Sequence, residues 1–310
     1  MGRLVEGKWV SASVITSGRD GAYERIPRSF LFNIDKDDPK FQPQTGRYHL
    51  YVSYACPWAH RTLIYRKLKG LEDHISVSVV HPDMLDQGWE LSKGFPGATG
   101  DDLYNLSHLY ELYQKADPKV STSVTVPVLW DKKLKTIVNN ESSQIIRIFN
   151  SKFNDLTKNH EDFYPQSLRG IIDSTNQKIY NQINNGVYRC GFAKTQDAYD
   201  EAVTSLFACL DEIEKTLEDQ PYLAGDQLTE ADLRLIPTLL RFDSVYFTHF
   251  KCNIRMIRDY PNLSHYTRKL YQREAIKTTT NFAHIKRHYY YSHESINPFR
   301  IVPKGPKDYL

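Results

Sequence analysis

Long hydrophobic runs are missing from this chain of 310 residues. Nothing approaches the roughly 18 consecutive apolar residues that mark a membrane-spanning helix, and the N-terminus has no apolar secretory segment. Neither a membrane setting nor a secretory route is expected. An excess of one charge is missing too: 40 Lys and Arg face 37 Asp and Glu, a net charge of +3. There is no Lys/Arg block, so nucleic acid is not an expected partner. Cysteine is scarce, with four residues at 56, 190, 209 and 252. Their spacing fits neither a zinc site nor a disulfide framework, and a reducing, cytoplasmic compartment is the expectation, with an organellar address left open. Among the 11 histidines, His284, His288 and His293 lack a carboxylate at metal-ligand spacing. They are expected on the surface of a helix or loop, and no metal is expected. The glycines of "KGFPGATG" read as turn residues and form no phosphate-binding fingerprint, so no nucleotide is expected.

Hydrophobic residues make up 40% of the chain, enough for a core, and the length suits two domains. Residues 1–46 are polar with scattered Gly and Pro and read as an extension with little regular structure. Its aromatics (Trp9, Tyr23, Phe30, Phe32, Phe41) suggest that it is strapped to the body. From 47 to 155 the pattern is α/β: strand 48–54, helix 57–69 ended by Gly70, strand 74–80, a Gly/Pro/Trp-rich loop, helix 104–115, strands 125–131 and 135–140, and helix 141–153. The first strand–helix–strand run favours parallel pairing. The order matches a small thioredoxin-like layout. From 156 to 310 strand signals nearly vanish, and 166–184, 196–218, 229–243 and 261–276 carry helical periodicity. Thr229 and Asp232 have the spacing of a capping box.

Within this frame Cys56 stands where the first strand hands over to a helix, directly before Pro57. A helix N-terminus favours thiolate over thiol, and thiolate is the reactive nucleophile. The sequence continues Cys56-Pro57-Trp58-Ala59, so the position of a resolving cysteine two residues beyond Pro57 holds alanine. A single thiol must be resolved from outside, and glutathione is the abundant cellular candidate. The alternative is that Cys56 is a small buried apolar residue. Val126-Pro127 heads a strand, an awkward place for proline unless it serves a special backbone position. A cis proline beside the thiol would expose backbone groups to an extended peptide; an edge or loop proline is the plainer reading. Glu141 and Ser142 open a helix, where a carboxylate and an ammonium can both be held, although capping by Ser142 or Asn140 explains them equally well.

"GRYHLYVSYACPWAHRTLIYRKLKGLE", "TVPVLWDKK", "IVNNESSQIIRIFN", "GVYRCGFA", "YLAGDQLTEADLRLIPTLLRFD" and "HYYYSHESINPFRIVPKGP" together resemble the glutathionyl-hydroquinone reductases, the xi-type glutathione transferases, which are relatives of the cysteine-using omega type. The resemblance runs from about residue 20 to the C-terminus. It implies the glutathione transferase fold, a thioredoxin-like N-terminal domain with an all-α C-terminal domain, and a homodimer through the C-terminal domains. It implies glutathione as co-substrate and glutathionylated quinols as substrates. By this resemblance Cys56 is the nucleophile, and Trp89 is the aromatic that lies against glutathione. Val126 offers backbone hydrogen bonds beside a cis Pro127. Glu141 and Ser142 hold the γ-glutamyl group, and Tyr188 and Tyr290 are tyrosines near the thiol on the quinol side. One position departs from the pattern: Ser123 stands where an arginine commonly precedes "VTVP", with Lys119 nearby as a weak substitute. Two other functions compete. An omega-like thiol transferase or dehydroascorbate reductase would use the same Cys56 without the tyrosine pair. A non-catalytic interaction module would tolerate loss of the thiol.

Overall fold

The computed structural model describes residues 2–11, 16–17, 21–24 and 28–306, with backbone alone at 16, 17 and 24. Parts of the N-terminal extension (12–15, 18–20 and 25–27) lie outside the described residues. The chain divides into two compact units, which cross the sequence-derived boundaries at 46 and 155. Unit 1 comprises Met1–Val14, Ile26–Glu161 and Thr279–His288; unit 2 comprises Ile15–Arg25, Asp162–Thr278 and Tyr289–Leu310.

The extension holds more regular structure than its composition suggests. Strands β1 (Arg3–Val5) and β2 (Lys8–Val10) form a hairpin, and β3 (Thr16–Ser17) pairs with β4 (Tyr23–Glu24) within unit 2. Phe30 to Phe32 run beside residues 138–140: Phe32 N–H donates to the Val138 carbonyl at 3.0 Å, and Asn140 N–H donates to the Phe30 carbonyl at 3.0 Å. Phe41 is buried. The strap expected from the aromatics is present.

Unit 1 continues with β5 (Tyr48–Val52), α1 (Pro57–Leu68) and β6 (Ile75–Val79). A short hairpin follows, β7 (Met84–Leu85) with β8 (Gly88–Trp89), then α2 (Leu109–Ala116) and β9 (Thr122–Ser123). Strands β10 (Val128–Asp131) and β11 (Thr136–Asn139) lead into α3 (Ser142–Ser151) and α4 (Asn154–Thr157). The main sheet has the order β11-β10-β5-β6. Its β5–β6 pair is parallel, with Tyr48 opposite Ile75, and its other pairs are antiparallel. All five residues of β5 are buried, as expected of an interior strand covered on both faces. Helices α1 and α3 pack against each other. Gly70 ends α1 in the left-handed region (φ 65), and Leu71 N–H reaches back to the Arg66 carbonyl at 2.8 Å, closing orphan carbonyls of the last turn.

Unit 2 is helical: α5 (Arg169–Ile179), α6 (Gly186–Phe192), α7 (Gln196–Asp219), α8 (Glu230–Arg241), α9 (Phe247–His249), α10 (Pro261–Tyr271) and α11 (Glu274–Lys277). Helix α7 packs on α6 and α10, and α5 packs on α8. The capping box of α8 is formed: Asp232 accepts from Thr229 N–H at 2.8 Å and from Thr229 Oγ1 at 3.1 Å. The same buried carboxylate takes Leu223 N–H at 2.9 Å and the Tyr266 hydroxyl at 2.7 Å. Short π-helical turns follow α5 and α8, at Tyr180–Asn184 and Phe242–Tyr246. The last helix, α12 (Phe282–Ser292), contributes its first seven residues to unit 1 and its remainder to unit 2. Among the described residues no helix is long and apolar enough to cross a membrane.

Candidate active site

Cys56 is the N-cap of α1, with extended backbone (φ −77, ψ 121) and Pro57 in the first turn. Proline fits there because that N–H has no helical acceptor. The tight turn before it is held by Ser53, whose carbonyl accepts Cys56 N–H at 3.2 Å and whose hydroxyl accepts Ala55 N–H at 3.2 Å. Cys56 is half-buried, while Cys190, Cys209 and Cys252 are buried; all four are free. Of the four thiols Cys56 is thus the accessible one, and it sits at the positive end of a helix dipole.

The Cys56 thiol lies 3.7 Å from the Val126 carbonyl oxygen. The Val126–Pro127 bond is cis. Val126 falls between β9, which ends at Ser123, and β10, which begins at Val128. Its backbone therefore stands outside the strand pairings, beside the thiol, where an extended peptide can pair with it. The strand-to-helix handover and the proline that opens β10 converge on one point of unit 1.

Glu141 is the N-cap of α3, in place of the Ser142 or Asn140 cap considered from sequence. Its Oε1 accepts from Ser143 N–H at 3.0 Å and Ser143 Oγ at 3.0 Å, and Ser142 Oγ approaches at 3.5 Å. Asn139 Oδ1 in turn holds Glu141 N–H at 2.8 Å. A carboxylate and a helix N-terminus are therefore adjacent, the two complements of an α-amino and an α-carboxylate group.

Trp89 ends β8. Its ring stacks on His288 of α12, with centroids 4.8 Å apart and planes at 22°. His288 Nδ1 is 2.8 Å from the Pro82 carbonyl, so that nitrogen carries the proton. Next to it, Arg287 makes a bidentate pair with Asp83 at 2.7 and 2.8 Å. The surface placement expected of the three histidines is corrected here: His284, His288 and His293 are all buried. Each has a distant partner: Pro96 carbonyl for His284, Pro82 carbonyl for His288 and His249 for His293. Among the described residues no group of three His, Cys, Asp or Glu could hold a metal.

In unit 2, Tyr188 of α6 is half-buried, and its hydroxyl meets that of Tyr289 at 2.6 Å. Tyr289 also meets Tyr246 at 3.0 Å. The Tyr290 hydroxyl instead donates to the Ser244 carbonyl at 3.2 Å. The structure therefore brings Tyr188 together with Tyr289 and Tyr246, two hydroxyls that the sequence did not single out. Burial pushes the phenols of Tyr289 and Tyr290 up, which keeps them protonated as donors. Three consecutive tyrosines on one helix point about 100° apart, so no local signal says which of them turns toward Tyr188.

Residues 55–152 match the glutathione S-transferase N-terminal domain, and residues 196–269 match its C-terminal domain. Glutathionyl-hydroquinone reductase YqjG of Escherichia coli K12 is 52% identical, across 99% of this chain and 95% of that protein. A crystal structure of the xi glutathione S-transferase from Phanerochaete chrysosporium is 55% identical, with a TM-score of 0.93 over 96% of this chain and 97% of that one. The glutathione-bound structure of the Escherichia coli K-12 transferase homolog YqjG gives a TM-score of 0.91 at 50% identity, over 99% and 97% of the two chains. With a full-length match at this identity, a thiol at a helix N-terminus and a cis proline beside it, the chain belongs to the glutathione transferases, in the xi class of glutathionyl-hydroquinone reductases.

Proposed function

We propose that this protein uses glutathione to reduce glutathionyl-hydroquinones, and that the chemistry runs through a mixed disulfide on Cys56. The carrying observation is the half-buried Cys56 thiol at the N-terminus of α1, 3.7 Å from the Val126 carbonyl. The Cys56 thiolate attacks the thioether sulfur of the substrate. The carbon–sulfur bond breaks, its electron pair passes to the ring, and the ring takes up a proton. Hydroquinone leaves, and Cys56 is left disulfide-bonded to glutathione. The thiolate of a second glutathione attacks that disulfide, releasing glutathione disulfide and regenerating the Cys56 thiolate. The ring gains two electrons, and two glutathione sulfurs become one disulfide.

In this reading Trp89, Val126, Pro127, Glu141 and Ser142 hold glutathione. Val126 pairs with its backbone, and Glu141 with Ser142 takes the γ-glutamyl end. Tyr188 and Tyr290, carried over from the resemblance, supply hydrogen bonds or a proton to the quinol. Tyr289 supports Tyr188 through its 2.6 Å contact. A homodimer through the helical region is part of the reading and rests on the resemblance. A cytoplasmic setting accords with four free cysteines.

The test is turnover of a glutathionyl-hydroquinone with added glutathione, in wild type and Cys56→Ser, following free hydroquinone and glutathione disulfide. Turnover in wild type that is lost in the variant is expected. A wild type that forms the Cys56 mixed disulfide yet releases no hydroquinone overturns the quinol assignment and leaves a thiol transferase.

A further inference from the structure

Strands β1 and β2 form a hairpin that touches the segments leading to Trp89 and to Val126. Strands β1 and β2 turn through Glu6 (φ 47) and Gly7 (φ 76), the left-handed pair of a two-residue hairpin turn. The turn is seated on the body of unit 1. Glu6 N–H donates to Ser121 Oγ at 2.8 Å, Gly7 N–H to the Val120 carbonyl at 2.9 Å, and Gln114 Nε2 to the Gly7 carbonyl at 2.7 Å. A side chain at position 7 is excluded, since a Cβ would lie 1.8 Å from the Pro118 carbonyl oxygen. Strand β1 then pairs with β9, with Arg3 opposite Ser123 and Leu4 opposite Thr122. That pairing ends three residues before Val126.

Trp9, on β2, reaches the other segment. Its indole N–H donates to the Asp86 carbonyl at 3.0 Å. Its ring stacks on Tyr110 with centroids 4.9 Å apart and planes at 22°. Gly88 also lies close to it: a Cβ there would come within 2.8 Å of the Trp9 ring. Asp86 is in the turn of the β7–β8 hairpin, and Gly88 directly precedes Trp89. Each strand of that hairpin has two residues, and isolated hairpins even of ordinary length are at best marginally stable. It needs an outside hold, and the indole contacts its turn and the residue before Trp89.

We propose that Trp9 is a positioning residue for glutathione binding, acting through the β7–β8 hairpin to fix Trp89. The proposal rests on the reading of Trp89 as the surface on which glutathione lies. Trp9 itself touches no substrate. It makes the N-terminal hairpin a working part of the site, and the Arg3–Ser123 register ties the same hairpin to the segment that leads to Val126.

The experiment titrates glutathione calorimetrically into the full chain carrying Cys56→Ser, with Trp9→Ala, Trp9→Phe or Trp89→Ala added. Trp9→Ala is expected to weaken glutathione about tenfold, the cost of a misplaced binding surface. Trp9→Phe keeps the ring and loses one hydrogen bond, so it weakens binding only about threefold. In the Cys56 protein, alkylation of the thiol by iodoacetamide should stay within twofold of wild type for both Trp9 variants. A general loosening of the fold would move that rate as well. Unchanged affinity in both Trp9 variants, with Trp89→Ala alone weakened, overturns the role of Trp9. Unchanged affinity in Trp89→Ala overturns the reading of Trp89, and the inference with it. If Trp9→Ala does not fold, Trp9→Phe decides: glutathione affinity equal to wild type overturns the proposal.

Discussion

Glu141 caps a helix and is a proposed ligand of glutathione, two roles that one substitution can separate. As N-cap of α3 it uses Oε1 for the Ser143 N–H and hydroxyl, each at 3.0 Å. As a proposed ligand it faces the ammonium of the γ-glutamyl group. Glu141→Gln retains a carbonyl oxygen that can take the place of Oε1, so the capping hydrogen bonds survive. What the helix loses is a negative charge at its N-terminus, worth about 0.3–1 kcal/mol, and a melting temperature lower by no more than a few degrees. The ligand loses a charged hydrogen-bond partner, worth about 1.5–3 kcal/mol, so glutathione affinity should fall roughly 10- to 150-fold. Calorimetric titration of glutathione at two salt concentrations, alongside thermal melting, reads both quantities. The wild-type affinity should weaken with salt more steeply than that of the variant, because the screened charge pair is gone. A variant that melts several degrees lower yet binds glutathione as wild type does would refute the ligand role and leave Glu141 as a cap.

Three further outcomes are expected. Asp232→Ala orphans the buried Leu223 and Thr229 N–H groups and the Tyr266 hydroxyl. At about 1–3 kcal/mol per buried donor, urea unfolding should show a loss near 3–5 kcal/mol, and a loss under about 1 kcal/mol contradicts this. His49 is buried beside Ser76, and burial lowers its pKa from 6.5 to about 4. The folded state keeps the ring neutral while the unfolded chain takes up a proton, so stability holds above pH 6.5 and falls as pH drops toward 4. At about 1.4 kcal/mol per pH unit the loss is roughly 3 kcal/mol; His49→Gln should lack it in urea titrations at pH 7 and pH 4.5, and an equal acid loss in both proteins removes His49 as its source. Tyr289→Phe should lower kcat for the quinol about tenfold at unchanged KM for glutathione, because it removes the hydroxyl that contacts Tyr188. Tyr290→Phe removes a hydroxyl that the proposed reaction also uses and should likewise lower kcat about tenfold; an unchanged kcat contradicts its role.

The parts of this protein legible in its sequence are those with local causes. Pro57 and Gly70 bracket α1, alternating residues mark β5 and β6, and Thr229 with Asp232 opens α8; each signal lies within a few residues of its effect. Helix α6 was not legible, because two of its seven residues are glycine, which disfavours a helix. Packing supplies the reason: a Cβ at Gly191 would lie 2.3 Å from the Phe250 ring, so the helix backbone approaches that ring as only glycine allows. The buried histidines escaped for a related reason. Their partners are 188 and 206 positions away for His284 and His288, and composition marks a histidine as polar without naming what will satisfy it. The N-terminal hairpin escaped because three-residue strands carry too little periodicity to register.

In the proposed reaction a single thiol suffices. Position 59 is alanine, so no second cysteine stands at the spacing of a dithiol site. The other three thiols are poor candidates to resolve its mixed disulfide, on grounds internal to their own unit. Burial pushes Cys209 up to about 11. Burial and the adjacent Cys190 push Cys252 well up too. A protonated, buried thiol is neither nucleophilic nor reachable. In the proposed reaction, resolution therefore falls to a thiol from solution, and the residues proposed to bind it fit glutathione. Backbone outside the strand pairings at Val126 suits a peptide, and a carboxylate beside a helix N-terminus at Glu141 and Ser142 suits an α-amino acid. Glutathione carries both features in one molecule.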